Sequence, residues 1–175
     1  IRNYAILRGA KLPTQGRRLR SFVDYVRMNS YVDVKYGSGA CSGLRVVSYS
    51  SITEAGGAWD RYPVLRHFRG LILDEHGRIV ARSFKKTHKA GVEVPIEDLQ
   101  VPARRVYEKA NGTLIILFHW NDAWQFATKF SFANEYTKAA QELLAVADFS
   151  VLHVRKTYLF EVLLPEDPHI VDYRG

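Results

Sequence analysis

At 175 residues the chain has room for one domain, or one domain and a small appendage, and a hydrophobic content of 47% is enough to build a full core. Lys and Arg number 25 against 18 Asp and Glu, and the net charge of +7 points to a polyanionic partner: nucleic acid, a nucleoside triphosphate or an acidic membrane surface. Cys41 is the only cysteine, which excludes an internal disulfide, and no apolar run approaches the length of a membrane span or forms a signal-peptide core.

Arg17 to Met28 carries Leu19, Phe22, Val23 and Val26 at helical spacing. Tyr31 to Tyr36 alternates as a strand does, and Leu44 to Tyr49 forms a second strand-like run. Ser50 to Asp60 is small and polar, contains Gly56-Gly57, and reads as a loop. Gly70 to Leu73 and Arg78 to Phe84 form a hairpin through Glu75-His76-Gly77, and Pro95 and Pro102 flank a short acidic connector. Arg105 to Phe130 reads as three strands, with a turn at Asn121-Asp122 between Trp120 and Trp124. Tyr136, Ala140, Leu143, Leu144 and Ala147 mark one face of an amphipathic helix whose N-cap is Asn134. Tyr158 to Leu163 and Ile170 to Tyr173 are the last two strands. Strands dominate and helices come in two separate places, which predicts an α+β domain built on antiparallel sheets. Residues 1–43 supply the N-terminal helix and first strand, and 44–175 the core.

Five stretches set polar residues into β structure in a way that packing does not demand: Ser48-Tyr49, Arg69-Gly70, Phe84-Lys85-Lys86, Lys109-Ala110-Asn111-Gly112, and Thr128-Lys129 together with Glu161. Cations at strand ends can converge on one anion. A triphosphate needs several, since each contributes charge-assisted hydrogen bonds and stabilises charge that develops at phosphorus. A lysine on a strand end can be desolvated among other cations, which favours the neutral, nucleophilic amine. Glycine at 112 allows close backbone approach, and a strand carboxylate such as Glu161 can accept from ribose hydroxyls. The six histidines show no metal-ligand spacing, so no metal-ligating residues are expected.

Read in order from about Leu44 to Tyr173, these stretches resemble the adenylyltransferase domain of ATP-dependent RNA ligases, in the branch that holds phage RNA-repair ligases and fungal tRNA ligases. Lys109-Ala110-Asn111-Gly112 resembles the nucleotidyl-lysine motif. Arg69 to Asp74 followed by Ile79 to Lys86 resembles the hairpin that precedes it. Phe126-Ala127-Thr128-Lys129 with Ser131-Phe132 resembles the triphosphate-contacting strand. Leu159-Phe160-Glu161 followed by Pro165-Glu166 and Ile170 to Tyr173 resembles the third motif. The resemblance implies an antiparallel-sheet nucleotidyltransferase fold of the ATP-grasp-like DNA/RNA ligase type. It further implies Lys109 as the nucleophile that takes AMP, Glu161 at the adenosine ribose, and Arg69, Lys86 and Lys129 around the phosphates. Tyr49 falls where the family has a functional tyrosine, Asn111 belongs to the nucleophile motif, and Gly112 lies against the nucleotide.

ATP and Mg²⁺ are the implied cofactors. The implied partner is RNA with 5′-phosphate and 3′-hydroxyl ends, for example a cleaved tRNA in splicing, joined without any membrane. The expected compartment is intracellular: the cytoplasm, or a host-cell cytoplasm for a phage protein. The chain departs from the pattern at Thr87-His88-Lys89, where the family has two aromatics and Asn, and at His169, where Arg is common. Late Glu-Gly and Lys-x-Lys motifs are missing before Gly175, so the sequence is expected to be the N-terminal part of a longer, C-terminally truncated ligase. The alternatives are a capping enzyme or DNA ligase of the same superfamily, and a non-catalytic RNA-binding module.

Overall fold

The computed structural model describes residues 11–13, 15–88, 91 and 107–164. The acidic connector between Pro95 and Pro102, the strand start at Arg105-Val106, Lys89, His169 and the strand expected over 170–173 lie outside those residues.

Helix α1 (Gly16–Met28) buries Leu19, Phe22, Val23 and Val26, the four positions marked by spacing. Strands β1 (Val32–Tyr36) and β2 (Arg45–Tyr49) follow. The stretch read as a loop instead holds two short helices, α2 (Ser51–Ala55) and α3 (Ala58–Arg61). Helices of one turn are too short to show a period. Ser50 starts α2 by accepting a hydrogen bond from the Thr53 amide, and Gly57, at φ +57°, turns the chain into α3. Strands β3 (Arg69–Leu73) and β4 (Ile79–Ala81) complete a four-stranded antiparallel sheet in the order β1-β2-β3-β4. The expected run from Arg78 to Phe84 is therefore longer than the strand that forms.

A second antiparallel sheet places β5 (Thr113–Trp120) between β6 (Ala123–Thr128) and β7 (Tyr158–Val162). Tyr107 to Ala110 make no strand, so two of the three strands expected between 105 and 130 are found among the described residues. The β5–β6 turn is at Asn121-Asp122, both at positive φ (+49° and +58°), which matches the twist of a two-residue hairpin. Helix α4 (Glu135–Leu143) begins with a capping box in which Asn134 and Thr137 satisfy each other's backbone amides. Ala140 is buried on α4 as expected, but Leu143, the last residue of the helix, and Ala147, beyond its end, are exposed.

The elements stack in four layers. Val47, Leu71 and Leu73 of the first sheet pack on α1, whereas Val46, Ile72 and Ala81 face Ile116, Phe118 and Ala127 of the second. The far side of β5, Ile115 and Leu117, packs on Ala140 of α4. Strand β2 is central and covered on both faces, so all five of its residues are buried. The fold is thus α+β with antiparallel sheets. No described helix is long and apolar enough to cross a membrane.

The β3–β4 turn is held by Asp74. Its carboxylate accepts from the His76 amide (2.9 Å), the Arg78 amide (2.8 Å) and Arg78 Nε (2.6 Å). Burial pushes this carboxyl up, but the Arg78 and His76 hydrogen bonds and the Arg78 charge outweigh it, and the net shift is downward. A depressed folded value means that Asp74 contributes stability above the ordinary aspartate range and loses it as pH falls through the folded value. Unfolding midpoints measured between neutral pH and about pH 3 should therefore fall less steeply for Asp74→Asn than for the parent chain.

Candidate functional site

The two sheets touch where the end of β2 and the start of β3 lie against the end of β6. Ser48 ties them: its hydroxyl donates to the Lys129 carbonyl and accepts from the Gly70 amide at 3.1 Å. A β-bulge makes this possible. Val47 pairs with Leu71 but Ser48 pairs with Arg69, leaving Gly70 as the extra residue at φ +75°. Without the bulge Arg69 would share the face of Leu71 and point into the α1 core. With it, Arg69 turns to the face that Ser48 presents to the second sheet.

Arg69 there donates to Ser83 Oγ (3.2 Å) and hydrogen-bonds Tyr49. Tyr49 is buried and meets the Trp59 ring edge-on at 5.2 Å. Burial, then the Glu54 carboxylate, pushes its hydroxyl up against the opposing cations Lys86 and Arg69. Lys86 Nζ lies 3.3 Å from Glu54 Oε1 and 5.2 Å above Trp59. Lys129 senses the same set. Burial lowers its ammonium value most, and Arg69 and Lys86 lower it further against Glu54. Tyr49, Arg69, Lys86 and Lys129 thus form one electrostatic group.

Lys129 carries a charge that its surroundings disfavour. Because its folded value is depressed, its charge opposes folding at neutral pH, and that opposition fades as pH rises through the folded value. An anion that neutralises the group should do the same. Pyrophosphate is expected to raise Tm in a thermal melt, by less in Lys129→Met, and sulfate at equal ionic strength should do so more weakly.

Lys109, Asn111, Gly112 and Glu161 sit together at the same end of the second sheet. Lys109 Nζ donates to Glu161 Oε1 at 2.9 Å and to the Ala110 carbonyl at 2.8 Å. The Gly112 amide donates to the same Glu161 oxygen at 3.3 Å, and Asn111 is half-buried. Glu161 pairs with Leu114 on β5, and Leu159, two residues earlier, packs in the core between the sheets. Alternation therefore puts Glu161 on the face turned towards the first sheet. Lys129 follows Thr128, the partner of Ile115, so Lys129 and Glu161 flank Leu114, two strand spacings or roughly 10 Å apart.

One sequence expectation needs correction. Lys109 is not desolvated among cations: its side chain is 70% exposed and its nearest charged partner is a carboxylate. It stands on an irregular segment ahead of β5. Gly112 also has a reason that needs no ligand. A Cβ there would strike the Val162 carbonyl and come within 2.8 Å of Leu163.

The sequence reading missed Glu54 and Trp59, both inside the stretch taken for a loop. Ser51-Ile52-Thr53-Glu54 has the Ser-x-x-Glu spacing of a helix start, and that was the available signal. Among the described residues no three His, Cys, Asp or Glu side chains cluster as metal ligands. No family profile matches the chain, and no curated protein sequence matches it significantly.

Proposed function

We propose that the chain is the nucleotidyltransferase part of an ATP-dependent RNA ligase working through a lysyl-AMP intermediate. The observation that supports this most is the juxtaposition, at one end of the second sheet, of an accessible lysine held by a carboxylate and a separate cluster of three cations. Lys109 supplies a nitrogen, Glu161 an acceptor, and Arg69, Lys86 and Lys129 the charge that a triphosphate needs.

In this reading Lys109 Nζ, once deprotonated to solvent, attacks the α-phosphorus of ATP. The N–P bond forms as the bond to the bridging oxygen breaks, and the cation cluster draws off the charge that pyrophosphate carries away. Glu161 exchanges its lysine contact for ribose hydroxyls, and Gly112 and Asn111 bring the backbone to the nucleotide. AMP then passes to an RNA 5′-phosphate, and an RNA 3′-hydroxyl displaces it to close the phosphodiester. The described residues build no carboxylate cage for Mg²⁺. The ion would arrive on the triphosphate, where it would shield phosphate charge.

The test is to incubate the full-length protein with ATP labelled at the α-phosphate and to look for acid-labile label on the protein. Label from ATP and not GTP separates this from capping, and sealing of broken RNA but not nicked DNA separates it from a DNA ligase. A second reading, a non-catalytic RNA-binding module, is favoured by the exposed and ion-paired state of Lys109. It expects salt-sensitive RNA binding and no label.

A further inference from the structure

A groove of about 430 Å³ lies beside the site, between the segment that follows β4 and the start of β7. Arg82, Phe84 and Lys85 line it together with His67, and Leu159 lies on the β7 side. Its described lining contains cations, a histidine and apolar surface but no carboxylate. The neighbouring cavity next to Trp59 differs, since Glu54 and Asp60 offset Lys86 and Arg66 there. Phe84 is 67% exposed and belongs to none of the buried clusters, so core packing does not account for an aromatic at that position.

The groove opens onto the site. Ser83, another of its lining residues, accepts the Arg69 hydrogen bond, and Leu159 lies two residues before Glu161 on the same face of β7. An exposed aromatic among cations is the combination that binds single-stranded nucleic acid: bases stack on the ring and phosphates meet the charges. The volume, on the scale of a drug-sized ligand, suits one or two nucleotides of a single strand.

We propose that this groove seats the terminal nucleotides of a single-stranded RNA. Phe84 stacks on a base, Arg82 and Lys85 hold the phosphodiester backbone, and the strand end is led to Arg69 and Glu161. The direction of travel rests on the ligase reading of that site; the binding itself does not.

The experiment measures binding of a fluorescently labelled single-stranded RNA oligonucleotide to the full-length protein by anisotropy across a series of KCl concentrations. Phe84→Ala should weaken binding about tenfold, and Phe84→Trp should restore it. Lys85→Gln should lower the slope of log affinity against log salt by about 0.7. Because both side chains are exposed, thermal melts should be unchanged. Labelling of Lys109 by ATP, read in parallel, should be the same in all variants. Wild-type affinity and salt slope in both Phe84→Ala and Lys85→Gln would overturn the proposal, as would a wild-type protein that does not bind the RNA. If Lys109 takes no label but Phe84→Ala still loses RNA, the ligase reading fails and the groove stands.

Discussion

Lys109→Ala is expected to reduce transfer of label from ATP to background, because no other atom of that side chain can form the N–P bond. Lys109→Arg should do the same, and it is the more instructive variant. Arginine keeps the positive charge and can still pair with Glu161, but its guanidinium does not give up a proton to become a nucleophile. Loss of the ion pair alone would leave Lys109→Arg active, whereas loss of the nucleophile leaves both variants inert. Neither should unfold the protein, since an ion pair with a 70% exposed lysine is worth less than about 1 kcal/mol. Intact-mass measurement after incubation with ATP gives the answer directly, and an AMP adduct on Lys109→Ala would move the nucleophile elsewhere.

The second large effect should come from Gly70→Ala. The added Cβ would lie 2.6 Å from Ile116 Cδ1 and 3.0 Å from Lys129 Cα, and the residue sits at φ +75°. The left-handed backbone and the overpacking together should cost roughly 2–4 kcal/mol, seen as a lower urea midpoint. Gly43→Ala is the matched control. Gly43 has φ +82° with nothing within 4 Å of its added Cβ, so it incurs only the conformational part, about 1–2 kcal/mol. The difference between the two variants measures how tightly the sheets are pressed together at Gly70. Any Gly70→Ala protein that still folds should also bind pyrophosphate more weakly, because Arg69 and Lys129 reach their places through that contact.

Helix α1, both hairpins and the capping of α4 could be read from residue spacing because each is a local matter: a 3.6 period, a turn dipeptide, a side chain that reaches its own helix start. The bulge could not. Nothing in Arg69-Gly70-Leu71 distinguishes a strand glycine from one that adds a residue to the ladder, and that extra residue decides which face Arg69 takes. The grouping of Tyr49, Arg69, Lys86 and Lys129 is not encoded in local spacing, since these residues come from four separate parts of the chain. The surroundings of Lys109 were misjudged for a related reason. Burial depends on what packs above a segment, and spacing along the chain does not encode that.

Glu161 uses one oxygen for both the Lys109 ammonium and the Gly112 amide. Admitting a sugar hydroxyl at that oxygen means handing over a donor, not adding one, so the number of satisfied bonds hardly changes when the guest arrives. On the ligase reading, the resting chain would hold Lys109 on Glu161 as a placeholder, and the act of seating a nucleoside would be what sets it loose.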